Sequence, residues 1–251
     1  MPKQLILLKQ KKKMILNKHN LQNFDEWIEQ ARSVGGTILI NKDLNWTSFD
    51  VVAKLRNLTK IKKIGHAGTL DPLASGLLIV CLGKFTKKIN EFQDLGKEYL
   101  AGVKFGATTK TDDSEADEEN IKEVNFTKED LEKSIGKYIG EIEQIPPMFS
   151  AKKVNGQRLY QLARKDIEIE LKPSLVKIDK IDLVSFESPK AELLVSCSKG
   201  TYIRALARDL GKDLGTGGYL YKLIRTKIGD YSYEDAVRIE DINNYLNNER
   251  L

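Results

Sequence analysis

The chain has little of the residues that usually announce metal, redox or disulfide chemistry: two histidines, His19 and His66, and two cysteines, Cys81 and Cys197. Two cysteines cannot build a disulfide framework, which points to a reducing compartment. The four side chains also lack zinc-type spacing, so a structural metal is not expected. Neither a Walker A sequence nor a GxGxxG occurs, and nucleotide-cofactor chemistry has no local support. No apolar run approaches the ~18–20 residues needed to span a bilayer. The apolar stretch at 5–8 falls short of the about 7–15 residues of a signal-peptide core, and no small-residue cleavage site follows it. The expectation is a cytoplasmic protein.

What is present is a 251-residue chain, 41% hydrophobic and 31% charged, long enough for one large domain or two small ones. The net charge of +5 is modest, but its distribution is uneven. Residues 1–18 carry six lysines (Lys3, Lys9, Lys11, Lys12, Lys13, Lys18) and no acid, whereas residues 112–119 carry six acids in eight positions. A basic arm and an acidic loop imply segregated surface charge.

Residues 23–32 read as a short helix capped by Asn23, followed by Gly35 and Gly36. The basic arm before it lacks packing partners and reads as loose. A strand is expected at 37–41, then a helix over 48–60 with Ser48 as its cap and Val51, Val52, Leu55 and Leu58 at helical spacing. Residues 61–75 read as an ordered loop and 77–82, continuously apolar, as a strand buried on both faces. A helix at 86–95, a strand at 98–105 and a solvated acidic loop follow. Thr127 and Asp130 resemble a capping box opening a helix to Lys137. Strands at 138–145, 166–171, 175–186 and 191–198, helices at 156–165 and 203–213, and a last helix from about Ile239 complete the reading. Strands outnumber helices without regular alternation, so an α+β fold with a mixed, mostly antiparallel central sheet flanked by helices is expected.

Two segments stand out chemically. Residues 65–76, GHAGTLDPLASG, hold His66, three glycines and an Asp whose backbone Pro72 pushes toward extended geometry. Asp71 reads equally as a turn residue capping local amides or as a loop-borne catalytic carboxylate. Residues 197–211, CSKGTYIRALARDLG, run from a strand into a helix and place Tyr202 and Arg204 at the junction. Arg204 can pair bidentately with a carboxylate, and Tyr202 offers an aromatic face with a polar tip. The alternative has Tyr202 as a half-buried anchor and Arg204 in a surface ion pair.

Together these two segments resemble the signatures of the bacterial tRNA pseudouridine synthase B (TruB) family. The likeness extends to 36–49 (GTILINKDLNWTSF), 97–99 (KEY), 106–113 (GATTKTDD), 145–156 (IPPMFSAKKVNG) and 159–164 (LYQLAR), in the family's order from about Gly36 to about Tyr231. The resemblance implies a pseudouridine synthase fold with Asp71 as catalytic carboxylate, Arg204 as the arginine paired with it, and Tyr99 as the tyrosine against the target uracil. It further implies uracil-pocket roles for Tyr202 and Leu223 and an RNA contact near the extruded base for His66. Lys42 matches the family lysine, although the proline that follows in the family stands here as Asp43. Asp113 aligns with a family aspartate near the site.

The implied reaction converts uridine, at position 55 in the T arm of tRNA, to pseudouridine, with no cofactor and no metal. The expected partner is tRNA, with no membrane and no DNA, and the expected enzyme is a monomer. A uracil in folded RNA must be turned out of its stack at a cost of a few kcal/mol, which aromatic faces can offset by roughly 1–3 kcal/mol per base. Phosphate contacts are sought among Lys11–Lys13, Lys60–Lys63, Lys84–Lys88 and residues 152–158. Residues 36–251 are expected to form the catalytic domain, with 1–35 as a basic extension and no complete C-terminal PUA domain. Three competing readings are a dyskerin-type guide-RNA-dependent synthase, a non-catalytic RNA-binding module, and a glycosidase with paired carboxylates. The absent PUA domain and bacterial-type flanks weigh against the first, the intact Asp71, Tyr99 and Arg204 against the second, and the lone well-placed carboxylate against the third.

Overall fold

The computed structural model describes residues 14–248 apart from 151, 155, 164, 166 and 168. Most of the basic arm, residues 1–13, lies outside the described residues, as does part of 152–158. The chain divides into two units, one of residues 1–97 and 224–251 and the other of residues 98–223.

In the first unit the Gly36–Lys42 strand pairs antiparallel with Ala74–Leu82, from Gly36 opposite Leu82 to Lys42 opposite Gly76. Ile15–Leu16 adds to Gly36–Lys42 in parallel, and Ile64–His66 pairs antiparallel with Ala74–Leu82. The apolar run at 77–82 is explained by two-sided burial. Leu78, Val80 and Leu82 join a cluster with Phe24, Trp27, Leu55, Val237 and Ile242, while Leu77 and Ile79 join a second one with Leu39, Ala67 and Ile228. Successive strand residues point to opposite faces, so each face needs its own apolar set.

The first residues described are part of this core. Leu16 is fully buried, and Phe24, Trp27, Ile28 and Ala31 of the Phe24–Val34 helix pack around it. Asn23 makes no side-chain cap to that helix; Asn17 instead caps the preceding 3-10 turn, Lys18–Asn23. The next helix, Ser48–Thr59, is capped by Thr47 in a reciprocal box with Asp50, not by Ser48. Ser48 is buried and used elsewhere. The 61–75 segment is a loop except for the Ile64–His66 strand and the start of Ala74–Leu82, and the expected 86–95 helix divides into a 3-10 turn, Gly83–Lys88, and a short helix, Ile89–Gln93.

In the second unit the strands run in the order 218–223 (the first part of the strand Gly218–Ile228), Lys97–Phe105, Lys190–Cys197, Ser174–Glu187, Gly140–Gln144. The last three pair antiparallel. The Lys128–Gly136 helix, opened by the Thr127 and Asp130 box, and the Ile203–Asp213 helix place Leu131, Ile135, Leu206 and Leu210 in one cluster with Val103, Phe105, Leu193 and Val195. The described part of 166–171 is not a strand. Sequence reading missed Gly218–Ile228, which returns the chain from the second unit to the first.

The first-unit part of that strand, residues 224–228, and Ala74–Leu82 approach each other closely. Gly76 has φ +98°, and a Cβ there would stand 2.4 Å from the Arg225 carbonyl oxygen and 2.9 Å from its nitrogen. A Gly76→Ala substitution is therefore expected to cost about 2–4 kcal/mol in urea unfolding, from left-handed strain plus backbone overlap. A cost below about 0.5 kcal/mol, the range of an indifferent surface change, would contradict this packing.

Candidate functional site

The first unit gathers Lys42, His66 and Asp71 around one loop. Lys42 ends its strand opposite Gly76, and the loop feeding the partner strand carries Asp71. That loop is pinned on both sides of the half-buried Asp71. Before it, Ser48 Oγ accepts from the Leu70 amide at 2.9 Å and donates to the Leu70 carbonyl at 3.1 Å. After it, the Pro72 carbonyl accepts from the Asn45 amide at 2.8 Å, and the Ala74 amide closes a turn onto the Asp71 carbonyl at 3.0 Å. Asp71 therefore sits on a fixed backbone.

Two cations are buried in this region, each 1% exposed. Lys42 Nζ donates to the carbonyls of Asp43 at 2.9 Å and Trp46 at 2.6 Å. Arg225 donates through Nε to the Leu77 carbonyl at 2.7 Å, through Nη2 to Gly68 at 3.1 Å and through Nη1 to Thr69 at 3.5 Å. Burying a charge is costly unless it is met by oriented dipoles or opposite charge, and backbone carbonyls provide those dipoles here. Burial lowers the Lys42 pKa to about 8; the negative charges of Asp71, Asp43 and Asp50 act against that, and Arg225 adds to it. Lys42 is thus within electrostatic reach of Asp71. Burial, reinforced by Arg225, also holds His66 below the ordinary imidazole value, while the Gly68 backbone opposes the shift. The His66 ring meets the exposed Phe49 ring edge-on at 5.9 Å between centroids.

The second unit carries Tyr99, Tyr202, Arg204 and Leu223. Arg204 is not a surface ion-pair residue: it is 6% exposed and donates to the carbonyls of Thr111 at 2.9 Å and Phe149 at 2.8 Å. The Asp113 carboxylate lies 3.3 Å from its Nη1. Asp113 is itself held by the Thr111 hydroxyl at 2.6 Å and the Glu115 amide at 3.0 Å. Tyr202 precedes the Ile203–Asp213 helix, and the Gln144 side chain brackets its backbone, accepting from its amide at 2.8 Å and donating to its carbonyl at 3.1 Å. Tyr99 and Leu223 are partly buried against the second unit's core.

Sequence reading missed two residues of the first unit. Ser48 was visible only as a helix cap, and Arg225 carried no local signal at all. A chain with these segments in these places has clear counterparts. A family model described as "TruB family pseudouridylate synthase (N terminal domain)" matches residues 56–203, and one described as "tRNA pseudouridylate synthase B C-terminal domain" matches 204–250. The chain belongs to the TruB family.

Within that family it is 46% identical over 225 residues to the tRNA pseudouridine synthase B of Phocaeicola vulgatus, covering 86% of this chain and 95% of the relative. It is 50% identical over 210 residues to that of Bacteroides fragilis, covering 81% and 90%. Among solved structures, a chain of a Cbf5-Nop10-Gar1 complex matches with a TM-score of 0.67 at 26% identity, over 87% of this TruB-family chain but only 56% of that one. The fold expected from sequence is the observed one.

The depressed Lys42 pKa has a measurable consequence. Below about pH 8 the lysine is charged both folded and unfolded; between about 8 and 10.5 the unfolded chain binds the extra proton, so this residue's contribution to stability rises with pH. The unfolding free energy of the wild type minus that of Lys42→Met is expected to increase across that window. A difference that stays flat from pH 7 to 10.5 would contradict the assignment.

Proposed function

We propose that this chain isomerises a uridine of tRNA to pseudouridine, at position 55 of the T arm, with Asp71 as the catalytic carboxylate. The observation that supports it most is the fixed Asp71 loop of a TruB-family chain whose relatives, named tRNA pseudouridine synthase B, match it over nearly their whole length. The reaction breaks the bond from ribose carbon 1 to uracil nitrogen 1, turns the base, and rejoins it through carbon 5, whose proton leaves. It transfers no electrons and no phosphoryl group, so protein side chains suffice.

Asp71 either attacks the sugar or removes a sugar proton, and both routes need its ionised form. Lys42 favours that form from within the first unit. Family resemblance gives Arg204 the part of the guanidinium that holds the carboxylate charged and aimed, and its planar fork suits that part. In this reading the extruded uracil lies against Tyr99, Tyr202 and Leu223, the roles the resemblance implies. His66, held toward its neutral state, contacts the RNA as a flat ring and hydrogen-bonding group with no added charge.

Residues 36–251 carry the catalytic machinery in this reading, and the described residues before them, from Met14 to Val34, pack into the same first-unit core. The enzyme acts as a monomer in the cytoplasm; no helix among the described residues is long and apolar enough to cross a membrane. Pseudouridine mapping in tRNA incubated with wild type and Asp71→Asn tests the assignment. The variant is expected to form no pseudouridine while binding tRNA within about threefold of wild type, since it removes a group used in the transition state and not in the ground-state contacts. Full turnover by Asp71→Asn would refute it.

A further inference from the structure

Among the described residues Arg225 is the largest side chain buried to this degree, and the proposed mechanism does not use it. It lies in the strand Gly218–Ile228, between Ile224 and Thr226, far in sequence from the loop it serves. Its guanidinium takes the carbonyls of Gly68 and Thr69, three and two residues before Asp71, and that of Leu77, six residues after it. Its backbone lies against Gly76, where a Cβ could not fit. One residue therefore grips both arms of the loop that presents Asp71. The bonds are directional, because the guanidinium is planar and offers its donors in a rigid fork.

We propose that Arg225 is a positioning residue for the isomerisation: by tying Gly68, Thr69 and Leu77 together it fixes where the Asp71 carboxylate stands. This rests on the proposed reaction and on Asp71 as its catalytic group. Removing an Arg from a purely structural network lowers stability and leaves the rate of the correctly folded fraction unchanged. Loosening the catalytic loop instead lowers the rate at saturation while leaving RNA affinity alone. A lysine at 225 keeps the buried charge but offers one ammonium where three carbonyls diverge, so it separates charge from positioning.

The test uses the full chain and a T-arm-containing tRNA transcript, with thermal unfolding, tRNA binding and the single-turnover rate of pseudouridine formation at saturating enzyme. Arg225→Lys is expected to fold with a lowered melting temperature and to bind tRNA within about threefold, while the single-turnover rate of its folded fraction falls on the order of 10–100-fold, the scale of a small misplacement of a reacting group. Arg225→Met is expected to be slower still, or to fail to fold, in which case Arg225→Lys decides. A wild-type rate for Arg225→Lys, a loss confined to tRNA affinity with the saturated rate unchanged, or an unfolded Arg225→Lys would each overturn the proposal. Wild-type enzyme inactive on tRNA would instead sink the reaction itself, so the two failures are distinguishable.

Discussion

Two positive charges buried against backbone carbonyls set the terms for the rest of the first unit. Lys42 and Arg225 have almost no water around them, and they are accommodated because peptide dipoles of the neighbouring loop and strand ends point at them. Cations so placed cannot move without leaving either a charge or several carbonyls unsatisfied. Arg225 thereby ties the loop between His66 and Gly76 to the Gly218–Ile228 strand, while Lys42 holds the neighbouring turn at Asp43 and Trp46, whose Asn45 amide bonds Pro72. Ser48 adds a third tie through the Leu70 peptide.

The second unit solves a related problem with the same functional group. Arg204 is also buried and also meets carbonyls, but it has a carboxylate, Asp113, beside it, and that carboxylate is oriented by a hydroxyl and an amide. Those two hydrogen bonds hold the Asp113 carboxylate in place beside the guanidinium. The scarcity of histidine fits chemistry of this kind. A carboxylate that must be ionised needs fixed positive charge and fixed geometry, and guanidinium groups provide both across the physiological pH range.

The parts of this arrangement visible in the sequence are those set by local rules. The run at 77–82 had to be a strand buried on both faces, Thr127 and Asp130 had to open a helix, and the 203–213 helix was found at its observed limits. The misses have physical causes. Gly218–Ile228 is interrupted by Lys222, Arg225 and Lys227, so its pattern does not alternate cleanly, and apart from the short Tyr231–Ser232 strand its pairing partners are supplied by distant chain. Arg225 looks like any exposed arginine, since arginine is seldom fully buried; only the tertiary fold shows which carbonyls surround it. Ser48 fits a cap as well by type as Thr47 does, and the choice between them is made by Leu70, 22 residues away. The segment 65–76 was legible as unusual, and the resemblance gave Asp71 its role, but the ties that hold the loop were not readable.

The central claim is that this fixed carboxylate supports exchange of a nitrogen–carbon for a carbon–carbon glycosidic bond. The most direct measurement is release of tritium from tRNA whose uridines carry the label at carbon 5. Release of one site's worth of tritium per tRNA is expected, at the rate at which pseudouridine forms and without loss of the base. Retention of the label, or release of free uracil, would contradict it.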